Sequence, residues 1–173
     1  DTDKDGVNDK EDKCPTEAGT LSTNGCPDAD KDGVSDGDDH CPLEKGIAAN
    51  NGCPEKISVD GIADRFLHFK PGSAVVDRFE VIDILEPVSD KLFFDDELKL
   101  VITGHAFDEG NTEQSKALSK ARAEAVKQYF VDHNVPAEKI ETVFYGDMKP
   151  FTESTTDDGK KQNRRSEIYI IRK

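Results

Sequence analysis

Ten aspartates at matching positions in two consecutive segments are the feature of this 173-residue chain most capable of chemistry. Residues 1–27 align without gaps on residues 28–54, with 16 of 27 positions identical, and each copy opens with D-x-D-x-D-G-x-x-D-x-x-D. Asp1, Asp3, Asp5, Asp9 and Asp12 carry the first copy, and Asp28, Asp30, Asp32, Asp36 and Asp39 the second. Calcium is a hard cation that takes six to eight oxygens. A tightly turned loop aims carboxylates at positions 1, 3, 5, 9 and 12 inward while position 7, here Val7 and Val34, offers a backbone carbonyl. Gly6 and Gly33 supply the sharp turn that a β-carbon resists. The competing reading is a solvated acidic linker, and the duplicated pattern with its glycine favours the metal. At least one Ca2+ per copy is expected.

These loops differ from EF-hands, because position 12 is Asp rather than the longer Glu and Cys14-Pro15 and Cys41-Pro42 stop any exiting helix. Four cysteines, Cys14, Cys26, Cys41 and Cys53, permit three pairings. Repeat symmetry favours Cys14 with Cys26 and Cys41 with Cys53, with Cys26–Cys41 the main rival pairing. Zinc is a weaker alternative, since there is no C-x-x-C and no nearby histidine pair. With its C-P and G-C-P signatures, the segment 1–54 resembles the thrombospondin type-3 repeat. The resemblance implies a calcium-wrapped module without a hydrophobic core. Disulfides and calcium together point to an oxidising compartment outside the cytoplasm.

Composition agrees with this division of the chain. The formal net charge is −14. Residues 1–54 hold 14 acidic and 5 basic side chains and no aromatic residue, while residues 55–173 hold 23 acidic and 18 basic ones and every aromatic. The first segment, two repeats at 1–27 and 28–54, cannot bury enough apolar surface to offset its chain entropy and needs staples. The second, 55–173, suits one domain with a core. The acidity argues against nucleic acid, whose phosphates want a basic face. No stretch of about 18 apolar residues is present to span a bilayer. The chain opens at Asp1 with no leader, as expected of a piece of a longer protein.

After Pro54 strands and helices alternate. Ile57 to Phe69 offers an early strand, followed by the Pro71-Gly72 turn. Phe79, Ile82 and Leu85 space as one helix face that Pro87 should kink or end. Leu98 to Thr103 reads as a strand stopping at Gly104. Asn111 and Gln114 form a capping box for a long helix with the stripe Leu118, Ala121, Ala125, Val126 and Tyr129. Ile140 to Tyr145 and Glu167 to Ile171 are further strands, separated by a long polar loop. The order β-α-β-α-β-β predicts an α+β sandwich with helices on one face of a mixed sheet.

The runs T-G-H-A-F-D-E-G, A-L-S-K-A-R-A-E-A-V, Y-G-D-M-K-P and G-K-K-Q-N-R-R-S-E make residues from about 60 to 173 similar to the OmpA-like peptidoglycan-binding domain. In that family an Asp after the second strand and an Arg on the following helix grip the diaminopimelate of the stem peptide. A guanidinium forks the carboxylate and a carboxylate holds the ammonium. The resemblance puts Arg122 on the family Arg, but its pattern G-H-T-D-x-x-G puts Phe107 on the Asp. Asp108 comes one residue late, and Ser115 replaces an Asn. A one-residue shift on an extended strand turns a side chain to the other face. Either an irregular loop brings Asp108 round, or Phe107 packs on the ligand's methylenes. Asn163 and Arg164, with Arg165, match the family N-R-R and are expected to line the pocket or brace the fold. His40, His68, His105 and His133 form no metal spacing, and no nucleophile motif or phosphate loop argues for an enzyme.

The resemblance implies the periplasmic part of an outer-membrane protein. A calcium-stiffened spacer precedes a module that anchors to peptidoglycan, and the membrane attachment lies in an absent N-terminal segment. The alternative is an OmpA-like domain that has lost peptidoglycan recognition and serves protein–protein interaction or adhesion.

Overall fold

The computed structural model describes every residue except Asp60, Ile62, Ala63, Asp108, Glu109, Gly110 and Ser154, and only the backbone of Leu85 and Glu86. Its contacts divide the chain into two units, Asp1–Glu55 and Lys56–Lys173.

The first unit has no strand, and its helical content among the described residues is two single 3-10 turns, Leu21–Thr23 and Ala48–Asn50. Aspartate side chains take the place of a hydrogen-bonded ladder. Asp5 Oδ1 accepts from Val7 N at 2.8 Å and its Oδ2 from Gly19 N at 2.9 Å. The second copy repeats this with Asp32, Val34 at 2.8 Å and Gly46 at 3.0 Å. The bonds from Val7 and Val34 fold the backbone onto a side chain two residues upstream, the usual habit of Asp in turns, and those from Gly19 and Gly46 reach across fourteen residues. Disulfides Cys14–Cys26 and Cys41–Cys53 close each copy, with Cα–Cα 5.0 Å in both, so the symmetric pairing is the one formed. Gly25 and Gly52 sit at φ +84° and +77°. A β-carbon there would lie 2.1 Å and 2.2 Å from the carboxylates of Asp12 and Asp39, so glycine is required.

The second unit runs β1 (Lys56–Ile57), β2 (Arg65–His68), α1 (Arg78–Phe94), β3 (Leu98–His105), α2 (Thr112–Asp132), β4 (Ile140–Gly146), α3 (Asp157–Asn163) and β5 (Arg165–Arg172). β5 lies inside the sheet, antiparallel to β3 on one side and to β1 and β2 on the other. β4 pairs parallel to β3 at the far edge, a pairing that needs a crossover, which α2 supplies. The sheet is mixed and the fold is α+β. One face takes Leu67, Leu100, Ile102, Ile168 and Ile170 into a core with Val81, Val88 and Leu92 of α1 and Val126 and Phe130 of α2.

Several expected details differ. The early strand is two short ones, β1 and β2. α1 passes through Pro87 without ending, because Val81, Ile84, Val88 and Leu92 pack on the core on both sides of it. The expected face of that helix is the wrong one. Phe79 is 72% and Ile82 54% exposed, and the side chain of Leu85 lies outside the described residues. In α2 the buried stripe is Ser115, Ser119, Arg122, Ala123, Val126 and Phe130, with Ala121 exposed and Leu118, Ala125 and Tyr129 half-buried. Polar residues on the buried side hid this stripe from the apolar periodicity. The capping box of Asn111 and Gln114 is formed. The polar loop contains α3, capped by Thr156 and too polar throughout to show a helical face.

β3 continues past Gly104 to His105, where it was expected to stop. Gly104 serves close approach rather than a turn: a β-carbon there would meet Ser119 O at 1.9 Å. Ser119 Oγ also accepts from Gly146 N at 3.0 Å, which ties α2 to the end of β4. Gly104→Ala should destabilise the second unit by about 1–3 kcal/mol, as overpacking between a helix and a sheet does. Urea denaturation followed at this unit checks it, and an unchanged midpoint would mean that α2 shifts freely.

Candidate functional site

The first unit gathers one acidic cluster in each repeat, and the second unit holds a cavity. In the first unit the carboxylate oxygens of Asp1, Asp3 and Asp5 come within 4.8 Å of one another, and those of Asp28, Asp30 and Asp32 do the same. Asp9 and Asp36 stand apart from these triads, and each accepts from the backbone of the second residue of its loop, Thr2 and Ala29, at 2.8 Å. Asp12 and Asp39 are buried and accept from Cys14 N and Cys41 N, which links each acidic loop to its disulfide. The N–H groups of Val7 and Val34 are pinned by Asp5 and Asp32, so the backbone at position 7 is fixed.

Buried carboxylate oxygens without donors point to a cation. Asp3 Oδ2, Asp12 Oδ2 and Asp30 Oδ2 are buried and make no hydrogen bond among the described residues. Burial, with Asp32, Asp39 and Asp28 as neighbouring negative charges, pushes Asp30 up to about 6. The oxygens therefore repel one another and lack solvent, and a hard divalent ion relieves both penalties. The donor set, all oxygen on a strongly turned loop, fits calcium.

In the second unit Arg122 is completely buried in α2. A guanidinium stays buried only when its N–H groups find acceptors. Nε donates to Ser73 O at 3.0 Å, Nη1 to His105 O at 2.8 Å and Nη2 to Lys70 O at 3.5 Å, and the cation sits 5.1 Å over the Phe69 ring. Arg122 thus joins the loop after β2, the end of β3 and α2.

That loop forms one wall of a cavity of about 600 Å³. Phe69, Pro71, Val75 and Val76 give it apolar surface. Glu80 of α1 lines it, with Lys161 of α3 and Arg164 just beyond. Arg164 Nε donates to Phe69 O at 3.1 Å, and Glu80 Oε2 accepts from His68 N at 2.9 Å, so both charges are tied to β2 and its exit. Burial holds His68 below the usual imidazole range, with Glu80 opposing and Lys161, Arg165 and Arg164 assisting.

The ligand residues singled out from the sequence are not brought together at this cavity. Arg164 lines it, and Arg122 stands behind its wall. Asn163 is fully buried and spent on bracing: Oδ1 accepts from Phe151 N at 2.8 Å and Thr152 N at 3.1 Å, and Nδ2 donates to Thr152 O at 2.7 Å. Ser115 is buried, with Oγ unpartnered among the described residues. Phe107 is half-buried in the turn after β3, and Asp108 lies outside the described residues. Glu80 and Lys161 went unnoticed, because each belongs to a segment whose charge looks like ordinary solvated surface.

The OmpA family matches residues 68–164, more than half of the chain. The chain belongs to the OmpA family. The thrombospondin type 3 repeat matches residues 1–21. The peptidoglycan-binding protein ArfA of Mycobacterium tuberculosis is 33% identical over 88 residues, which cover 51% of this chain and 27% of that protein. The peptidoglycan-associated lipoprotein of Pseudomonas aeruginosa is 34% identical over 70 residues, covering 40% of this chain and 42% of that protein. The matches thus span less than half the length of either relative. Among solved structures, the peptidoglycan-associated lipoprotein of Burkholderia pseudomallei superposes with a TM-score of 0.58 at 25% identity, over 61% of this chain and 89% of that one. The cell wall anchor of the type VI secretion system of Pseudomonas aeruginosa shares the fold, with a TM-score of 0.51 at 22% identity, over 68% and 89% of the two chains.

This OmpA-family unit also buries a polar network on the sheet face opposite its helices. His105 is 1% exposed; Nε2 pairs with Thr103 Oγ1 at 2.9 Å and lies 3.6 Å from Glu167, which forms a buried ion pair with Arg165. Burial first, then Arg165, Lys149 and Arg122, hold His105 well below the ordinary value of 6.5 against the Lys149 carbonyl. A histidine depressed on folding binds its proton more readily when unfolded, so its stabilising contribution is complete above pH 6.5 and is lost as pH falls below that. Denaturation midpoints of this unit should drop on acidification from pH 7 to 5, and His105→Gln should flatten that slope. An unchanged slope in the variant would assign the acid sensitivity elsewhere.

Proposed function

We propose that this chain is the periplasmic part of an outer-membrane protein, in which a calcium-rigidified spacer carries an OmpA-like domain that binds peptidoglycan non-covalently. The observation that carries the reading is the braced cavity: an apolar hollow with Glu80, Lys161 and Arg164 on it, held open by a buried Arg122 at the position of the family Arg. Two relatives named for binding to or association with peptidoglycan support that ligand, and a non-catalytic role accompanies it. Its diaminopimelate side chain, with an ammonium and a carboxylate on one carbon, matches such a hollow.

The acidic repeats support the spacer. Calcium at the Asp1–Asp3–Asp5 and Asp28–Asp30–Asp32 triads, with Asp12 and Asp39 beside the disulfides, would lock loops that have no core to hold them. A locked spacer fixes distance and angle, where a flexible linker sets only a maximum reach.

Two experiments decide between this reading and a domain that binds something else. Purified protein should co-sediment with diaminopimelate-type sacculi, and Arg122→Ala and Arg164→Ala, each verified as folded by circular dichroism, should release it. Sedimentation indifferent to both substitutions would remove the cavity from the binding site. For the spacer, EDTA should raise amide exchange and protease cleavage within residues 1–55 and leave residues 56–173 protected. Equal protection with and without the chelator would refute calcium as the staple.

A further inference from the structure

Each disulfide of the first unit clamps together the two segments that hold its acidic loop. In the first copy Cys14 N donates to Asp12 Oδ1 at 2.7 Å. Gly25, the chain neighbour of Cys26, presses on the same carboxylate from the other side, where a β-carbon would lie 2.1 Å from Oδ1. Gly19 packs against Cys26 itself, with no room for a β-carbon, which would lie 2.1 Å from the Cys26 carbonyl. From that position Gly19 N donates to Oδ2 of Asp5, a member of the acidic triad, at 2.9 Å. Thr20 N to Cys26 O at 3.2 Å and Lys13 N to Asn24 O at 2.9 Å run alongside the S–S bond.

The second copy repeats these contacts. Cys41 N donates to Asp39, and Gly52, the neighbour of Cys53, presses on that carboxylate. Gly46 packs against Cys53 and donates to Asp32 Oδ2 at 3.0 Å. Ile47 N to Cys53 O at 3.3 Å and His40 N to Asn51 O at 2.9 Å flank the bond. One half of each disulfide therefore holds the buried aspartate, and the other half holds the triad through a glycine.

With no apolar core beneath them, these segments rely on the S–S bond to stay in register. A metal site whose ligands must first be gathered binds more weakly than one already assembled. We propose that the disulfide of each copy is a redox control on the calcium site of that copy. Intact, it positions Asp5 and Asp12, or Asp32 and Asp39, for the ion; opened, it frees them and the ion leaves. Opening takes a dithiol, which gives two electrons and two protons, leaves as its own disulfide and converts the cystine into two thiols. Linkage makes the control reciprocal, so bound calcium must favour the disulfide over the dithiol form by the factor by which the disulfide tightens calcium. This rests on the calcium reading above and adds what governs the site.

The test uses the whole chain, with calcium titrated by calorimetry and the responding copy assigned from amide NMR signals. Cys41→Ser with Cys53→Ser opens the second copy alone. It should weaken calcium there by about tenfold or more, the scale of a lost loop closure, and leave the first copy at its wild-type affinity. In a second measurement a dithiol reduces the protein, and the freed thiols are alkylated and counted by mass spectrometry. Calcium should slow the opening of both disulfides in the wild type. In Asp32→Asn with Asp39→Asn it should protect Cys14–Cys26 and no longer Cys41–Cys53. The proposal is overturned if the opened copy keeps its calcium affinity, or if both copies lose calcium together, as a staple of the whole unit would require. Equal protection of Cys41–Cys53 with and without the two aspartates overturns it as well. Any of these outcomes in a protein that binds calcium sinks the redox control alone, whereas a wild type that takes up no calcium sinks the calcium reading with it.

Discussion

A guanidinium with no exposed surface must give its N–H groups to acceptors, and that requirement organises the second unit. Arg122 meets it with backbone carbonyls from the loop after β2 and the end of β3. Loop carbonyls are the groups that a surface segment otherwise leaves to water. Their use here converts a loop into a fixed wall, and the cavity exists because that wall stands off α1 and α3. The same logic recurs at Asn163, whose side chain substitutes for a strand partner of Phe151 and Thr152. Two buried polar side chains thus hold irregular segments of the second unit in place, Arg122 the loop after β2 and Asn163 the stretch at Phe151 and Thr152.

The first unit solves the opposite problem. It has no core, so its backbone groups are satisfied locally by aspartates, and disulfides close each copy. This leaves an electrostatic debt, most visible at Asp30, whose carboxyl is pushed up to about 6 by burial and its acidic neighbours. Side chains that fold the loop are the same ones that accumulate negative charge. A divalent cation is therefore the natural completion of a structure made this way.

How much was legible in the sequence follows from which signals are local. The positive φ of Gly6 and Gly33, the symmetric cysteine pairing across twelve residues and the Asn111–Gln114 capping box depend on partners close along the chain, and each is found as expected, while of the five aspartates in each copy three come together. The buried faces of α1 and α2 were misjudged because burial is decided by what packs across. Phe79 and Ile82 have the spacing of a core stripe and face outward, while Ser115, Ser119 and Arg122 are polar and face inward. Gly104 carried a turn signal and proved to be a contact point for Ser119.

The sequence by itself determined the repeat, its acidic loops and staples, and the succession of elements that marks the family, because these are written in short-range spacing. Only the tertiary structure decided what the charged residues do. Arg122 and Arg164 are the same residue type in one chain, yet one is enclosed among carbonyls and the other lines a cavity. Glu80, one surface-type acid among many in the sequence, is oriented by His68 N into that cavity. A charge acquires its role from the solvent and partners left to it after the chain has packed, and those are set by residues far away along the sequence.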